Sequence, residues 1–530
     1  MTVNQARRGL CTPSLNAFLC RIVSVPSEGD VQRKHIIWRR LLPVVCLFWV
    51  WPLAAAGWSF AIEQSSMGMA LPDIRSGGWE VSGSHANIRP SVTARSDAAI
   101  IEFAPSSLIL TDYLAFTGAD RPLRLENVRT DLSNATVTFE YGAAGTWAER
   151  IAVDGDIMID VTRLEHSLLV PQTWNFEGRV AGHLTDLRIE GTLVSASGLT
   201  ADLDIRLGPD GGVSVSVDTT IEGEQGVQAL AETVSGWPDL LTVESGSGRL
   251  SVDVSLGLDN ELEASGTLDL EDVSGVYNRT AVAGLTGLVR GALDGAQITT
   301  SFRDISVSEI NPGIPVSSVR FSGEYSAPQT GLLQGRLEVQ QARARFLEGA
   351  LRITPGVYEL EEGGDRIPVE VQDVSLSRLM EVYPADGLAG NGLLSGRIPL
   401  SVSSGNVQVS GGSLAAIEPG GRLQLPADRL QAMLGGNQTM DVVVQALQNF
   451  HYSVLNSTID YDEQGKLTLG LRLEGENPEL RGGQPVVLNV NLEEDIPALL
   501  TSLQLSGRVN EAVTKRVREL LQESGEETAP

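Results

Sequence analysis

Between Arg249 and Leu258 every second residue is aliphatic: Leu250, Val252, Val254, Leu256 and Leu258 are separated by Ser251, Asp253, Ser255 and Gly257. A period of two gives a strand one apolar and one polar face. The same alternation returns at Ile157, Ile159 and Val161, at Leu203, Ile205 and Leu207, and at Val213, Val215 and Val217. It continues through Leu467, Leu469, Leu471 and Leu473, then through Leu488, Val490 and Leu492. Turn-forming clusters punctuate these runs, among them Gly208-Pro209-Asp210-Gly211-Gly212, Asn311-Pro312-Gly313 and Asp462-Glu463-Gln464-Gly465. Short turns between alternating strands predict a mainly β chain laid out as an antiparallel meander. Such a sheet carries a long apolar face that something must cover.

Helical patterns are few. Gly226 to Gly236 predicts one short helix before Trp237-Pro238, and Met433 to Gln448 and Ile496 to Leu505 predict two more. A terminal helix is expected from Asn510 to Glu523, with Val513, Val517, Leu520 and Leu521 along one packing face. No Pro- and Ser-rich linker separates two halves, so one elongated architecture is expected, with a segment junction near Trp237 to Ser247.

The N-terminal region is different in kind. Leu41 to Ile62 carries no charge, and at about 1.5 Å per residue a helix of this length crosses a hydrocarbon core roughly 30 Å thick. Its apolar body is Leu41, Leu42, Val44, Val45, Leu47, Phe48, Trp49, Val50, Trp51 and Leu53. Arg33, Lys34, Arg39 and Arg40 precede it and the first charges after it are Glu63 and Asp73, so the N-terminus is expected in the cytoplasm and the body beyond the membrane. Pro43, Pro52 and Ala54-Ala55-Ala56 leave open a cleaved signal sequence, with an uncleaved anchor favoured. Pro43-Val44-Val45 before Cys46 and Leu47 after it do not suit a lipidation site. The expected layout is residues 1–35 cytoplasmic or a misassigned start near Val31, 36–62 the anchor, 63–240 and 241–508 two parts of the exported sheet, and 509–530 a helix and tail.

Cys11, Cys20 and Cys46 all precede the exported body, whose stability must therefore come from strand pairing and apolar burial without disulfides. The formal net charge of -28 argues against nucleic acid or an anionic surface as the main partner. An acidic exterior also keeps a large sheet soluble and discourages edge-to-edge association.

No catalytic constellation stands out, and no cofactor is expected. His35 precedes the membrane segment, while His85, His166, His183 and His451 are scattered without partners at ligand spacing. Asp460, Asp462, Gln464 and Gly465 resemble the start of a calcium loop, but the twelfth position is Leu471 where a bidentate Glu is required, so the segment reads as a hairpin. Gly387, Gly390, Gly392 and Gly396 do not match a dinucleotide fingerprint and read as strand and turn glycines.

The C-terminal half carries a family resemblance over roughly residues 240 to 510. The phrases Asn311-Pro312-Gly313-Ile314-Pro315-Val316, Gly390-Asn391-Gly392-Leu393-Leu394-Ser395-Gly396-Arg397-Ile398-Pro399-Leu400 and Gly411-Gly412-Ser413-Leu414 resemble YdbH-like proteins of the AsmA superfamily. The resemblance is strongest at Leu447-Gln448-Asn449-Phe450-His451-Tyr452 followed by Asp460-Tyr461-Asp462, Gly470 to Gly475, Asn477-Pro478, Pro485 to Leu492 and Ile496 to Leu500. It implies an envelope protein of the bridge-like lipid transfer type, not an enzyme: a single inner-membrane helix and a periplasmic antiparallel sheet folded lengthwise into an open β-groove, or β-taco. The implied cargo is phospholipid moving between inner and outer membrane. The implied partner is a small outer-membrane lipoprotein of the YnbE type that extends the sheet at its C-terminal end.

The physics of the residues fits that expectation. Roughly 25 to 35 strands stacked about 4.8 Å apart would make a groove on the order of 120 to 170 Å long. Each methylene removed from water is worth about 0.8 kcal/mol, so an acyl chain gains on such a face much of what a bilayer offers. The residues expected to line the groove are Leu203, Ile205, Leu207, Leu250, Val252, Val254, Leu256, Leu258, Leu467, Leu469, Leu471, Leu473, Leu488, Val490 and Leu492. Two other readings stay open: a closed structural or adhesive β-sandwich or β-solenoid whose aliphatic face is its own core, and an envelope assembly factor that receives unfolded strands at its edge.

Overall fold

Polar-apolar alternation has become antiparallel pairing throughout a computed structural model that describes residues 59–499, except 64–65, 77–78, 106, 117–121, 143–144, 210, 258–261, 361–363, 383–387, 404–405, 425–443 and 481–482. Among the described residues there are 29 strands and few helices. The chain divides into two compact units, Met1–Ile221 with Gln225–Trp237 and Leu250–Ala264, and Glu222–Glu224 with Pro238–Arg249 and Ser265–Pro530. The strands Leu241–Leu256 and Leu262–Tyr277 contribute residues to both.

In the first unit each stretch of chain lies beside the one before it. Ser59–Glu63, Met67–Ala70 and Ile74–Ser76 are collinear pieces of one rung, aligned along Trp79–Ile88 and Pro90–Arg95. Those two pair in turn with Ala98–Phe103 and Ser107–Phe116, which together flank Leu123–Glu140. Ile151–His166, Leu169–His183, Asp186–Ser195, Thr200–Leu207 and Val213–Glu222 follow in chain order. Where a rung bends, a register shift absorbs the extra residue, as between Ser133 and Thr136, with Asn134 at φ 49°. There are therefore fewer rungs than strands.

The second unit repeats the scheme. Thr280–Asp294, Gln297–Asn311, Val316–Pro328 and Gly335–Phe346 pair successively. Gly349–Ile353 and Gly356–Leu360 share one side of Gly335–Phe346, and Ile367–Ser375, Leu393–Ser403 and Asn406–Ala416 continue the order. Phe450–Tyr461, Lys466–Glu476 and Pro485–Asp495 complete it. Asp462 shapes the Tyr461–Lys466 hairpin: its Oδ1 accepts the backbone N–H groups of Gln464 at 3.0 Å and Lys466 at 2.8 Å.

Two helices punctuate the strands. The first, Gly223–Thr233, begins ahead of the predicted Gly226, because Gly223 at φ 61° turns the chain out of its strand and Glu224 favours the first turn. Thr233 fastens it with a 2.7 Å hydrogen bond to Ser197. The second, Leu376–Val382, was not expected from the sequence, although Ser375 precedes Leu376, Leu379 and Met380 at helical spacing. Val444 to Leu447 and Ile496 to Leu499 are also helical, within two of the predicted segments. The terminal helix from Asn510 lies outside the described residues.

The predicted membrane segment needs one correction. Its last residues, Ser59 to Ile62, belong to the strand Ser59–Glu63, with Phe60 opposite Ala94 and Ile62 opposite Val92, so the segment ends before Ser59. Strand pairing captures these residues because alternating Phe60 and Ile62 find apolar partners on the neighbouring rung. Leu41 to Leu53 lie outside the described residues, among which no helix is long and apolar enough to cross a membrane.

The densest packing is in the second unit. Phe450 (0% exposed), Leu447 and Leu473 (1% each) and Tyr452 (2%) join Leu376, Leu394, Leu423, Val444 and Leu455. Tyr452 donates its hydroxyl to the Asn391 carbonyl at 2.6 Å, and burial raises the phenol's pKa. In the first unit Val128, Val161 and Trp174 form a smaller cluster with Ile159 and Leu193 around it. Phe450→Ala should lower the unfolding free energy by about 3–5 kcal/mol in a denaturant titration; a change within error would show that this cluster is not closed.

Candidate functional site

Register turns the alternating runs into rows that cross the strands. In the first unit one row runs Leu132, Ile157, Gly178, Gly191, Leu203, Val217, and the next runs Gly155, Val180, Ile189, Ile205, Val215. Leu207 stands between Leu187 and Val213. In the second unit a row joins Leu351, Val371, Gly396, Leu414, Ser457, Leu471 and Val490. Beside it, Ile459, Leu469 and Leu492 form another.

The reverse face of the same strands is ionic. Arg179 reaches Asp154 at 2.7 Å, and Asp204 accepts from Arg188 at 2.8 Å and from Arg206 at 2.9 Å. Asp253 accepts from Ser216 at 2.6 Å and Asp218 accepts from Ser251, which places Leu250, Val252 and Val254 on the opposite face, that of Val213, Val215 and Val217. Hydrogen bonds first from Arg188 and then from Arg206 hold the Asp204 carboxyl down at about 2. These pairs are exposed and add little stability individually. Their value lies in face and register, since a one-residue slip would turn them inward.

Relief on the apolar face is kept low by aromatic rings lying over glycines. A Cβ placed on Gly178 would meet the Phe176 ring at 2.6 Å, one on Gly323 the Phe321 ring at 3.1 Å, and one on Gly335 the Tyr325 ring at 2.6 Å. The glycines occupy the apolar face, opposite Ile157, Val339 and Leu360 respectively. The ring tips of Phe176, Phe321 and Tyr325 thus lean over glycines instead of side chains, a device seen where an aromatic covers a strand glycine.

The expected lining residues fall into three environments. Leu203, Ile205, Leu207, Leu250, Val252, Val254, Leu467, Leu469, Leu471, Val490 and Leu492 are half-buried, and Leu256 is 42% exposed. Leu473 is in the closed cluster with Phe450, and half-buried Leu488 packs against it, so the apolar face is covered at that end of the strands. Leu258 lies outside the described residues. A finished sandwich core would bury the whole face as Leu473 is buried; most of the stripe instead keeps contact with solvent. Gly178, Gly191, Phe176 and Trp174 also belong to this face, and sequence reasoning missed them because glycine carries no hydropathy signal and isolated aromatics do not alternate.

Among the described residues the histidines are not gathered into a reaction centre. His85 Nδ1 lies 3.1 Å from the Gly83 carbonyl, His451 Nε2 lies 3.2 Å from Asn449, and His166 accepts the Leu168 N–H at 3.3 Å. Among the described residues no group of three or more His, Cys, Asp or Glu could hold a metal ion. What the arrangement offers is a shallow aliphatic surface backed by an ionic one, suited to holding a flexible hydrocarbon without selecting one atom of it.

Residues 65–518 match the sequence model of the YdbH-like family, described as intermembrane phospholipid transport protein YdbH. No curated protein and no solved structure matches the chain. The matched family consists of lipid transporters, not enzymes.

Two outcomes test this account of the two faces. Gly178→Leu should press on the neighbouring Glu190 carbonyl and displace the Phe176 ring, lowering stability by about 1–3 kcal/mol in denaturant melts, and an unchanged melt would mean that both strand and ring yield without cost. Asp204 has a folded pKa below its unfolded value of about 3.9, so its contribution is present above about pH 4 and is lost as pH falls towards about 2. Asp204→Asn should flatten the stability-pH curve in that window and nowhere else.

Proposed function

Since the chain belongs to the YdbH-like family of intermembrane phospholipid transport proteins, we propose that phospholipid acyl chains travel along the aliphatic rows while headgroups stay towards water. The observation that carries this reading is the half-buried state of the stripe from Leu203 to Leu207, Leu250 to Val254 and Leu467 to Leu471, on sheets whose other face is ionic. An acyl chain laid on such rows supplies the missing cover, at about 0.8 kcal/mol for each methylene withdrawn from water. Movement along the rows breaks no bond and needs no catalytic residue. The missing side chains at Gly178 and Gly323, over which Phe176 and Phe321 lean, lower the relief there and support sliding.

The same reading assigns the ends. The apolar segment beginning at Leu41 and ending before Ser59 acts as a single-pass inner-membrane anchor, with the strands that follow it in the periplasm. Within each unit the apolar rows act as the groove. At the other end Pro485–Asp495 alternates strictly between exposed and half-buried residues and pairs only with Lys466–Glu476 among the described strands. Its outer edge suits addition of a strand from a small outer-membrane lipoprotein of the YnbE type.

Photo-crosslinkers at Val254 and Leu471, with Asp253 and Arg472 as reverse-face controls, should yield phospholipid adducts from the first pair only. Adducts from all four positions, or from none, would sink the conduit. Ile205→Asp should interrupt the stripe and reduce lipid transfer at least about tenfold without unfolding the protein, since a carboxylate against hydrocarbon carries a large desolvation cost. Transfer at the wild-type rate would show that lipid does not pass this row.

A further inference from the structure

We propose that the reverse, lipid-free face of Val316–Pro328, Gly335–Phe346 and Gly349–Ile353 is a docking surface for an acidic α-helix of a partner protein. Register places Arg320 opposite Arg343 and Arg343 opposite Arg352, so three guanidiniums stand in one row on three neighbouring strands. Arg345, opposite Ser317, widens the patch along the strand direction. All four arginines are exposed, and among the described residues none has an ion-pair or side-chain hydrogen-bond partner. The nearest carboxylate in the row, Glu370 opposite Arg352, lies instead 3.7 Å from Arg397.

Among the described residues, single exposed arginines such as Arg249, Arg290 and Arg303 also lack a carboxylate, but in this row three stand directly opposite one another, and many arginines elsewhere on the ionic faces are paired. Arg179, Arg188, Arg206 and Arg472 each sit on a carboxylate of their own or a neighbouring strand. Like charges directly opposite one another destabilise a sheet, and three in succession occur here in a chain with 67 acidic residues against 39 basic ones. A chain so rich in carboxylates could have paired them. Leaving them unpaired keeps planar, bidentate donors available to an incoming carboxylate.

Charge also narrows the partner's class. With a net charge of -28 the molecule repels an extended polyanion or an anionic bilayer at distances beyond a few ångströms. A compact element that brings carboxylates only to the patch escapes most of that repulsion. Arg320 to Arg352 spans two strand spacings, about 10 Å. Carboxylates at positions i, i+4 and i+7 of an α-helix span about 10.5 Å on one face. A helix laid across the strands thus meets the row one carboxylate to one guanidinium. Phe321, Ala342 and Ile353 are in register on the other face, so docking leaves the lipid rows untouched.

The test uses full-length protein in detergent and a fluorescent helical peptide with Glu at i, i+4 and i+7, with a Lys-substituted twin as control. The Glu peptide should bind in anisotropy titrations, weaken with added salt, and lose at least about tenfold affinity to Arg320→Gln/Arg343→Gln/Arg352→Gln. The triple variant should melt about 1–3 °C higher, because the opposed charges are gone, and should keep the lipid adducts at Leu471. Equal binding by variant and wild type, equal binding of the Lys twin, or no binding overturns the proposal. So does a variant that instead loses adsorption to phosphatidylglycerol vesicles, which would make the patch a membrane contact, and so does a lowered melting temperature.

Discussion

Side chains of a strand alternate between two faces, and almost everything in this molecule depends on both faces being kept in register at once. One-residue slippage of Thr200–Leu207 against Asp186–Ser195 would carry Leu203 and Ile205 into water and bring Asp204 and Arg206 against hydrocarbon. Exposed ion pairs contribute little energy, yet cross-strand pairs such as Arg179–Asp154 and Arg188–Asp204 are lost or must be rebuilt in a two-residue slip that leaves both faces in place. The aliphatic rows reject a one-residue slip, but they discriminate poorly against a two-residue slip, which keeps each face and only exchanges one valine, leucine or isoleucine for another. Specificity on one face thus allows chemical monotony on the other.

That division of labour shows in what could be read from residues alone. Alternation at Leu203 to Leu207 and Leu467 to Leu473 was legible because a period of two needs no partner to be seen, and the Asp462 hairpin was legible because its turn chemistry is local. Environment was not. Leu471 and Leu473 share one sequence pattern, yet one is half-buried and the other closed beneath Leu447 and Phe450, because the covering residues come from outside the strand. The helix Leu376–Val382 escaped notice since its spacing signal spans too few residues to outweigh the strands around it. Collinear rungs were hidden too: breaks such as those after Glu63 and Ala70 read as separate strands until register aligns them on one neighbour.

The contrast between closed and half-open stretches bears on transport. Where Phe450, Leu473 and Tyr452 pack, the sheet supplies its own cover. Along Ile205 and Leu471 it does not, and the cover is proposed to be cargo. A protein that leaves its apolar face in this state depends on its lipid for part of its stability, in the way any binding partner of the native state stabilises it.

The chain-order meander has a further consequence for biogenesis. Wherever register is described within a unit, a rung pairs with the stretch just before it, so those segments do not wait for a distant one to find their neighbour. Low separation between partners lowers the entropic cost of closing each contact. A polypeptide threaded across a membrane from its N-terminus can therefore crystallise rung by rung at the exit side, each new hairpin growing on a finished template. At any moment the bare edges are the first described rung, Ser59–Glu63 with Met67–Ala70 and Ile74–Ser76, and the latest one, so the length of exposed sticky backbone does not grow with the size of the sheet.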